Sequence, residues 1–211
     1  MSILLEISEA LQKGNAKVVS GKTVQALGDG VEPYAILTEG LIAGMNVIGV
    51  KFRNDEIYVP EVMMSAKAMY AGLDILKPKL VETGVKPVGK VVLGTVKGDL
   101  HDIGKNLVGM MMVGAGFEVI DLGKNVSSEK FVEAVREHSP SVIALSALLT
   151  TTMPEQKNVI EALKEAGLRD VVKVMIGGAP VTASYAKEIG ADAYTPDAAS
   201  AADKAKEFIL G

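Results

Sequence analysis

The chain has no cysteine and no tryptophan. Without cysteine there is no disulfide, no thiolate metal ligand and no cysteine nucleophile. The absence also fits a reducing compartment. Aromatic residues make up only 4% of the chain, which speaks against a carrier that stacks a flavin on rings. There are only two histidines, His101 and His138, against the roughly three protein ligands that a catalytic zinc site needs. No block of like charge occurs, and the net charge of −4 offers no electrostatic attraction to nucleic acid or an anionic membrane. The N-terminal stretch "MSILLEISEALQKG" has acidic residues in its apolar pattern and no basic leader, unlike a signal peptide. No uninterrupted apolar run is long enough to span a bilayer. A soluble cytoplasmic protein with neither membrane nor nucleic-acid partner is expected.

What is present is ample core material. The 211 residues are 48% hydrophobic, and ten methionines are available to fill irregular gaps. The first half has helical spacing. Ile3, Leu4, Ile7 and Leu11 form one apolar stripe, stopped at Gly14. A second helix is expected from Ala16 to Leu27, and a third enters at Pro33 and carries Ile36, Leu37, Leu41, Met45, Ile48 and Phe52. A fourth opens at Pro60 and carries Val62, Met63, Ala66, Met69, Leu73 and Leu76. Four helices with short links suggest a small bundle over residues 1–87, followed by the linker-like "ETGVKPVG", Glu82–Gly89.

Residues 88–211 alternate short apolar runs with helical segments. The runs are "KVVLGTV", "FEVIDL", "SVIALSAL", "KVMIGGA" and the weaker "DAYTP". This pattern predicts a parallel sheet covered by helices on both faces. Such sheets bind ligands outside the carboxyl ends of their strands. The loops at those ends hold "GDLHDIG", "SALLTTT", "GGAP" and "TPDAAS".

Several chemistries are missing from these loops. There is no Gly-x4-Gly-Lys-Ser/Thr phosphate loop and no Gly-x-Gly-x-x-Gly fingerprint. The third strand ends on Ser146 where a phospho-receiver would hold an aspartate, and Ser146 lies in "ALSAL" rather than a Gly-x-Ser-x-Gly elbow. His138 falls at a helix C-terminus, where its charge would suit the dipole. His101 remains as a single-point metal ligand. A neutral imidazole can bind through one nitrogen while a carboxylate holds the other N–H, and Asp99 is the candidate carboxylate. A metal with one protein ligand must bring the others with it, as in a macrocycle. Gly104, Gly177 and Gly178 would let a bulky group approach the backbone.

The set Asp99-Leu100-His101-Asp102-Ile103-Gly104, then Ser146-Ala147-Leu148, then Gly177-Gly178 resembles the cobalamin-binding signature D-x-H-x-x-G…S-x-L…G-G. "GLIAGMNVIGVKFRNDEIYVPEVMMSAKAM" is similar to the helical cap of the same family. The chain thus resembles the corrinoid proteins of methyltransferase systems and the cobalamin-binding part of cobalamin-dependent methionine synthase. The resemblance implies an α/β fold: an N-terminal four-helix bundle cap, 1–87, and a doubly wound, flavodoxin-like, five-stranded parallel sheet, 88–211. It implies a cobalamin bound with its benzimidazole tail detached and inserted into the α/β domain. His101 would be the lower cobalt ligand and Asp99 its hydrogen-bond partner. Gly98, Leu100, Asp102, Ile103 and Gly104 would complete that loop. Ser146, Leu148 and Thr150 would line the tail slot, with Gly177, Gly178 and Ala179 beside it and Ala198 near its mouth. The family's relay can end in a serine, and the corresponding place here holds Thr152. In the cap, Phe52 and Val59 match the two apolar positions that shield the methyl-bearing face.

The implied function is a methyl carrier cycling between Co(I) and methyl-Co(III), with no catalytic residue of its own. Its implied partners are a donor-specific methyltransferase, an acceptor methyltransferase using a thiol or tetrahydrofolate, and a reductive activation protein. Methanol, methylamines, betaines and aromatic methyl ethers are all possible donors. The alternatives are the cobalamin-binding subunit of an adenosylcobalamin-dependent mutase and a cobalamin sensor. The cap containing Phe52 argues against the first, and the lack of an effector or basic segment against the second.

Overall fold

The computed structural model describes residues 2–84 and 86–211. Val85, within the linker expected over Glu82–Gly89, lies outside the described residues, as does Met1. The chain divides into two compact units. One comprises the residues up to Pro87 with Gly114–Gly116, the other Val88–Val113 and Phe117–Gly211.

The first unit is helical. Helix α1 (Ile3–Gln12) starts where the Ser2 hydroxyl accepts the Leu5 N–H, and α2 (Ala16–Gly28) where the Asn15 side chain accepts the Val18 N–H. Gly14, at φ +66°, makes the turn between them. A continuous helical run then covers Pro33–Arg53, as α3 (Pro33–Ala35), a π stretch (Ile36–Ile42) and α4 (Ala43–Arg53). Helix α5 (Val59–Glu82) follows. The π stretch is not visible in the apolar pattern. It explains why Ile36 and Leu41, five residues apart, share the buried face with Met45 and Ile48. By length and composition Pro33–Arg53 could cross a membrane. Burial of those four side chains against the neighbouring helices accounts equally for its hydropathy.

The second unit is a five-stranded parallel sheet of β1 (Lys90–Thr95), β2 (Glu118–Asp121), β3 (Val142–Ser146), β4 (Lys173–Gly177) and β5 (Ala193–Tyr194). The strand order is β2-β1-β3-β4-β5. Helices α6 (Ile103–Gly114), α7 (Ser128–His138), α8 (Pro154–Glu165), α9 (Ala183–Ile189) and α10 (Ala198–Leu210) connect and follow the strands. Side chains alternate across the sheet. Val92, Ile143, Leu145, Val174 and Ile176 pack with α7, α8 and α9 into one core, whereas Leu93 faces Gly109 of α6.

The order reverses direction between β1 and β3. Open parallel sheets bind ligands at such a switch point, and the loops after β1 and β3 flank it. Their register puts Thr95 beside Ser146 and Ser146 beside Gly177, so three loop origins lie level.

The largest fully buried side chain under this sheet is Phe131, whose ring lies against Gly94 of β1. Phe131→Ala should destabilise the α/β unit by about 3–5 kcal/mol. Denaturant unfolding followed by circular dichroism reads this directly, and a loss below about 1 kcal/mol would contradict the packing described.

Candidate functional site

The β1–α6 loop is built around a buried carboxylate. Gly98 turns the chain at φ +79°, and Asp99 follows with its side chain fully buried. Its Oδ1 accepts two donors from His101, the backbone N–H at 3.0 Å and the ring Nδ1 at 2.7 Å. Its Oδ2 accepts two from the β3–α8 loop, the Leu148 N–H at 2.7 Å and the Thr152 hydroxyl at 2.7 Å. The carboxylate is thus spent on these donors and does not cap α6.

Burial by itself pushes the Asp99 carboxyl pKa up. The hydrogen bonds from the His101 N–H, the Thr152 hydroxyl, the Leu148 N–H and the His101 ring outweigh that and hold it well below the usual carboxylate range. Asp99 is therefore ionised near neutrality and can only accept. This fixes the imidazole: Nδ1 carries the proton, and in the neutral ring the Nε2 lone pair is free. The ring is 51% exposed although its partner is fully buried. A second support comes from Thr95, buried at the end of β1, whose hydroxyl donates to the His101 carbonyl at 2.9 Å.

Asp99, His101, Leu148 and Thr152 are therefore brought together from two loops 49 residues apart in sequence. Gly98, next to Asp99 in the chain, donates its N–H outside this group, to the Asn125 side-chain oxygen. Ser146 ends β3 between Thr95 and Gly177. Asp102 faces Lys124 at 3.8 Å and is not part of the carboxylate cluster. Leu100, Ile103 and Leu148 are exposed apolar side chains on the same loops as the imidazole. Thr150 and Ala179 are exposed, while Ala198 is buried in the first turn of α10 behind the Asp197 cap.

The three glycines differ. A Cβ on Gly104 would meet nothing within 4 Å, so that position opens outward. A Cβ on Gly177 would lie 3.4 Å from the Thr195 carbonyl oxygen, an ordinary contact. Gly178, at φ +126°, would place a Cβ 1.8 Å from the Ala147 carbonyl oxygen, so the backbone alone demands glycine there. In the helical unit, Phe52 sits half-buried near the end of α4 and Val59 half-buried at the start of α5.

Three structural residues were not singled out from the sequence. They are Thr95, Asn125, and the fully buried Gln156, whose Nε2 bridges the Leu145 and Gly177 carbonyls at 3.0 and 3.1 Å. "GT" at a strand end and "GKN" in a turn are the only traces in the sequence of the first two.

Chemically, this edge offers one nitrogen donor of fixed tautomer among exposed apolar side chains. Among the described residues no group of three or more His, Asp or Glu could hold a metal ion. A metal bound through His101 would have to carry its remaining ligands with it, and a corrin ring meets that requirement.

The comparisons with known proteins point the same way. A family profile described as a B12 binding domain matches residues 89–204, and a second B12 binding domain profile matches residues 3–77. A dimethylamine corrinoid protein of Methanosarcina acetivorans is 46% identical over 210 residues, covering 96% of this chain and 97% of that one. A crystal structure of the methanol:cobalamin methyltransferase complex of Methanosarcina barkeri superimposes with a TM-score of 0.89 at 32% identity, covering 99% of this chain and 80% of that one. A cobalamin-binding protein of Desulfitobacterium hafniense does so with a TM-score of 0.80 at 29% identity, covering 98% of both chains.

The depressed pKa of Asp99 makes its contribution pH-dependent. The stabilisation is present above the unfolded carboxyl value of about 3.9 and is lost as pH falls below it. Asp99→Asn puts an N–H₂ group where only acceptors fit, and should cost the cofactor-free chain about 1–3 kcal/mol at pH 7. The gap to wild type should narrow below about pH 4, as read from urea midpoints across pH. A gap independent of pH would mean that Asp99 is not ionised in the folded chain.

Proposed function

The chain belongs to the B12-binding corrinoid proteins of methylamine and methanol methyltransferase systems, and from that premise we propose that it is a methyl carrier with His101 as the lower cobalt ligand. The observation that supports this most directly is the His101 ring, tied by Nδ1 to the buried Asp99 carboxylate and left with a free Nε2 at the sheet's carboxyl edge. Bound there, the corrinoid supplies a cobalt centre that can take up and give up a methyl group.

The chain's own residues hold and orient. Asp99 fixes the tautomer of His101, aims its ring and raises its strength as a donor. Thr152 and the Leu148 N–H hold Asp99 in turn. Ser146, Leu148, Thr150, Gly177, Gly178, Ala179 and Ala198 are proposed to line a slot for the detached benzimidazole tail. Gly98, Leu100, Asp102, Ile103 and Gly104 are proposed to meet the corrin edge. Residues 1–87 are proposed as the cap domain and 88–211 as the cobalamin-binding domain, with Phe52 and Val59 shielding the upper face. None of the described residues at the sheet edge is proposed to activate a methyl donor. The loading and unloading reactions are accordingly assigned to two partner methyltransferases, one specific for the donor and one using a thiol or tetrahydrofolate acceptor. A reductive activation protein would restore the cobalt after oxidation, and the reading places the cycle in the cytoplasm. The likeness to a dimethylamine corrinoid protein favours a methylated amine as donor.

His101→Ala should keep the fold and still bind cobalamin. Prepared with ¹⁵N-histidine, its Co(II) state should lose the doublet that an axial ¹⁵N nucleus gives in electron paramagnetic resonance, and an unchanged doublet would remove His101 from the lower position. The cap reading has its own test. Phe52→Ala combined with Val59→Ala should speed photolysis of the bound methyl group, whereas an unchanged rate counts against shielding.

A further inference from the structure

The loop bearing Asp99 and His101 is held from outside by one residue of the β2–α7 connection. The Asn125 Oδ1 accepts the Gly98 N–H at 2.8 Å, and the Asn125 backbone N–H donates to the Asp99 carbonyl at 3.0 Å. One residue thereby satisfies both backbone groups that flank the Gly98–Asp99 peptide. It does so at φ +55°, one of only three left-handed non-glycine residues among those described. Side chains rarely adopt that conformation, and Asn and Asp are several-fold enriched among those that do. Glycine would adopt it more easily but would bring no side-chain oxygen. The position therefore asks for a left-handed backbone and a short acceptor together, a combination that only Asn and Asp meet well.

The platform under Asn125 is firm. The Gly123 carbonyl accepts the Thr95 N–H at 2.9 Å, and the Val126 N–H donates to the Thr95 carbonyl at 2.9 Å, so the connection continues the β1 ladder. Asp121 holds the turn at its base. Its Oδ1 accepts the Gly123 N–H at 2.8 Å, and its Oδ2 receives the buried Lys105 ammonium. A path of direct contacts then runs from Asn125 to the Asp99 backbone, from its carboxylate to the imidazole Nδ1, and so to the aim of Nε2.

We propose that Asn125 is a positioning residue for the axial histidine. By clamping Gly98 and Asp99 it fixes where the carboxylate sits and hence where the His101 Nε2 that would hold the cobalt lies. The proposal rests on the reading of His101 as lower ligand. It adds a control point outside the His101–Asp99–Thr152 cluster, on a loop that need not touch the corrinoid.

Three variants of the full chain separate the possible roles. Asn125→Gly keeps the left-handed backbone, so the fold should survive, but removes the acceptor. Asn125→Asp keeps the acceptor. Asn125→Ala loses the acceptor and strains the backbone. Each is produced with ¹⁵N-histidine, loaded with unlabelled cobalamin, reduced to Co(II) and scored for the fraction of cobalt showing the doublet of an axial ¹⁵N nucleus. Cobalamin affinity and the urea midpoint of the cofactor-free chain are measured alongside. The expected result is a reduced histidine-bound fraction and about tenfold weaker binding in Asn125→Gly, the low end for residues that support a metal ligand. Asn125→Asp should restore both, and Asn125→Ala should resemble Gly with an added loss of stability. A full histidine-bound fraction in Asn125→Gly, or no rescue by Asp, would overturn the proposal. A ¹⁵N doublet that is absent from the wild type, or that persists in His101→Ala, would instead overturn the reading of His101, and the proposal with it.

Discussion

A buried, ionised carboxylate with four donors aimed at it governs the architecture of this site. Asp99 is fully inaccessible, and an unpaired charge in that position would be prohibitively costly. It is tolerated because two loops deliver an N–H each, together with a hydroxyl and an imidazole N–H. Each donor therefore has its place dictated by the charge it must satisfy. The histidine is the one donor with a second, outward-facing nitrogen. Burying the carboxylate thus orients the ring and leaves its Nε2 as the ligand atom that the functional reading requires.

Topology explains why such a cluster can form here. The strand order reverses between β1 and β3, the point at which open parallel sheets bind ligands, and the loops after these two strands meet there through Asp99. The level register of Thr95, Ser146 and Gly177 sets both loops at the same height. Support then comes from either side. Asn125 clamps the first loop, while on the second the Tyr185 hydroxyl donates to the Met153 carbonyl, next to Thr152. The site residues are therefore held by neighbours that need never contact a ligand.

Much of this was legible in the sequence because it is written locally. The strands were marked by short apolar runs and the bundle helices by their apolar spacing. Asp99 and His101 lie two residues apart, and it is the resemblance of the full signature, not that spacing alone, that marks them as a ligand with its supporting carboxylate. What was not legible depends on distance in the chain. Asn125 acts on Gly98 and Gln156 on Gly177, contacts that exist only once β-strand register is set. The π stretch was hidden because it shifts the buried face by one residue without changing composition. Gly178 was read as room for a ligand, yet the close approach of the Ala147 carbonyl already requires it. In that case the sequence signal was right, but the structure supplies a separate reason for it.

The account stands on one bond, that between the His101 Nε2 and cobalt in place of the cofactor's own benzimidazole. Isotope labelling tests it most directly. The protein is produced with ¹⁵N-histidine, loaded with unlabelled cobalamin and reduced to the Co(II) state, and its electron paramagnetic resonance spectrum is compared with that of the unlabelled protein. An axial ¹⁴N nucleus splits each cobalt line into a triplet and an axial ¹⁵N nucleus into a doublet. The account predicts that labelling turns the triplets into doublets. Triplets that persist in the labelled protein would show that the benzimidazole remains bound, and would contradict it.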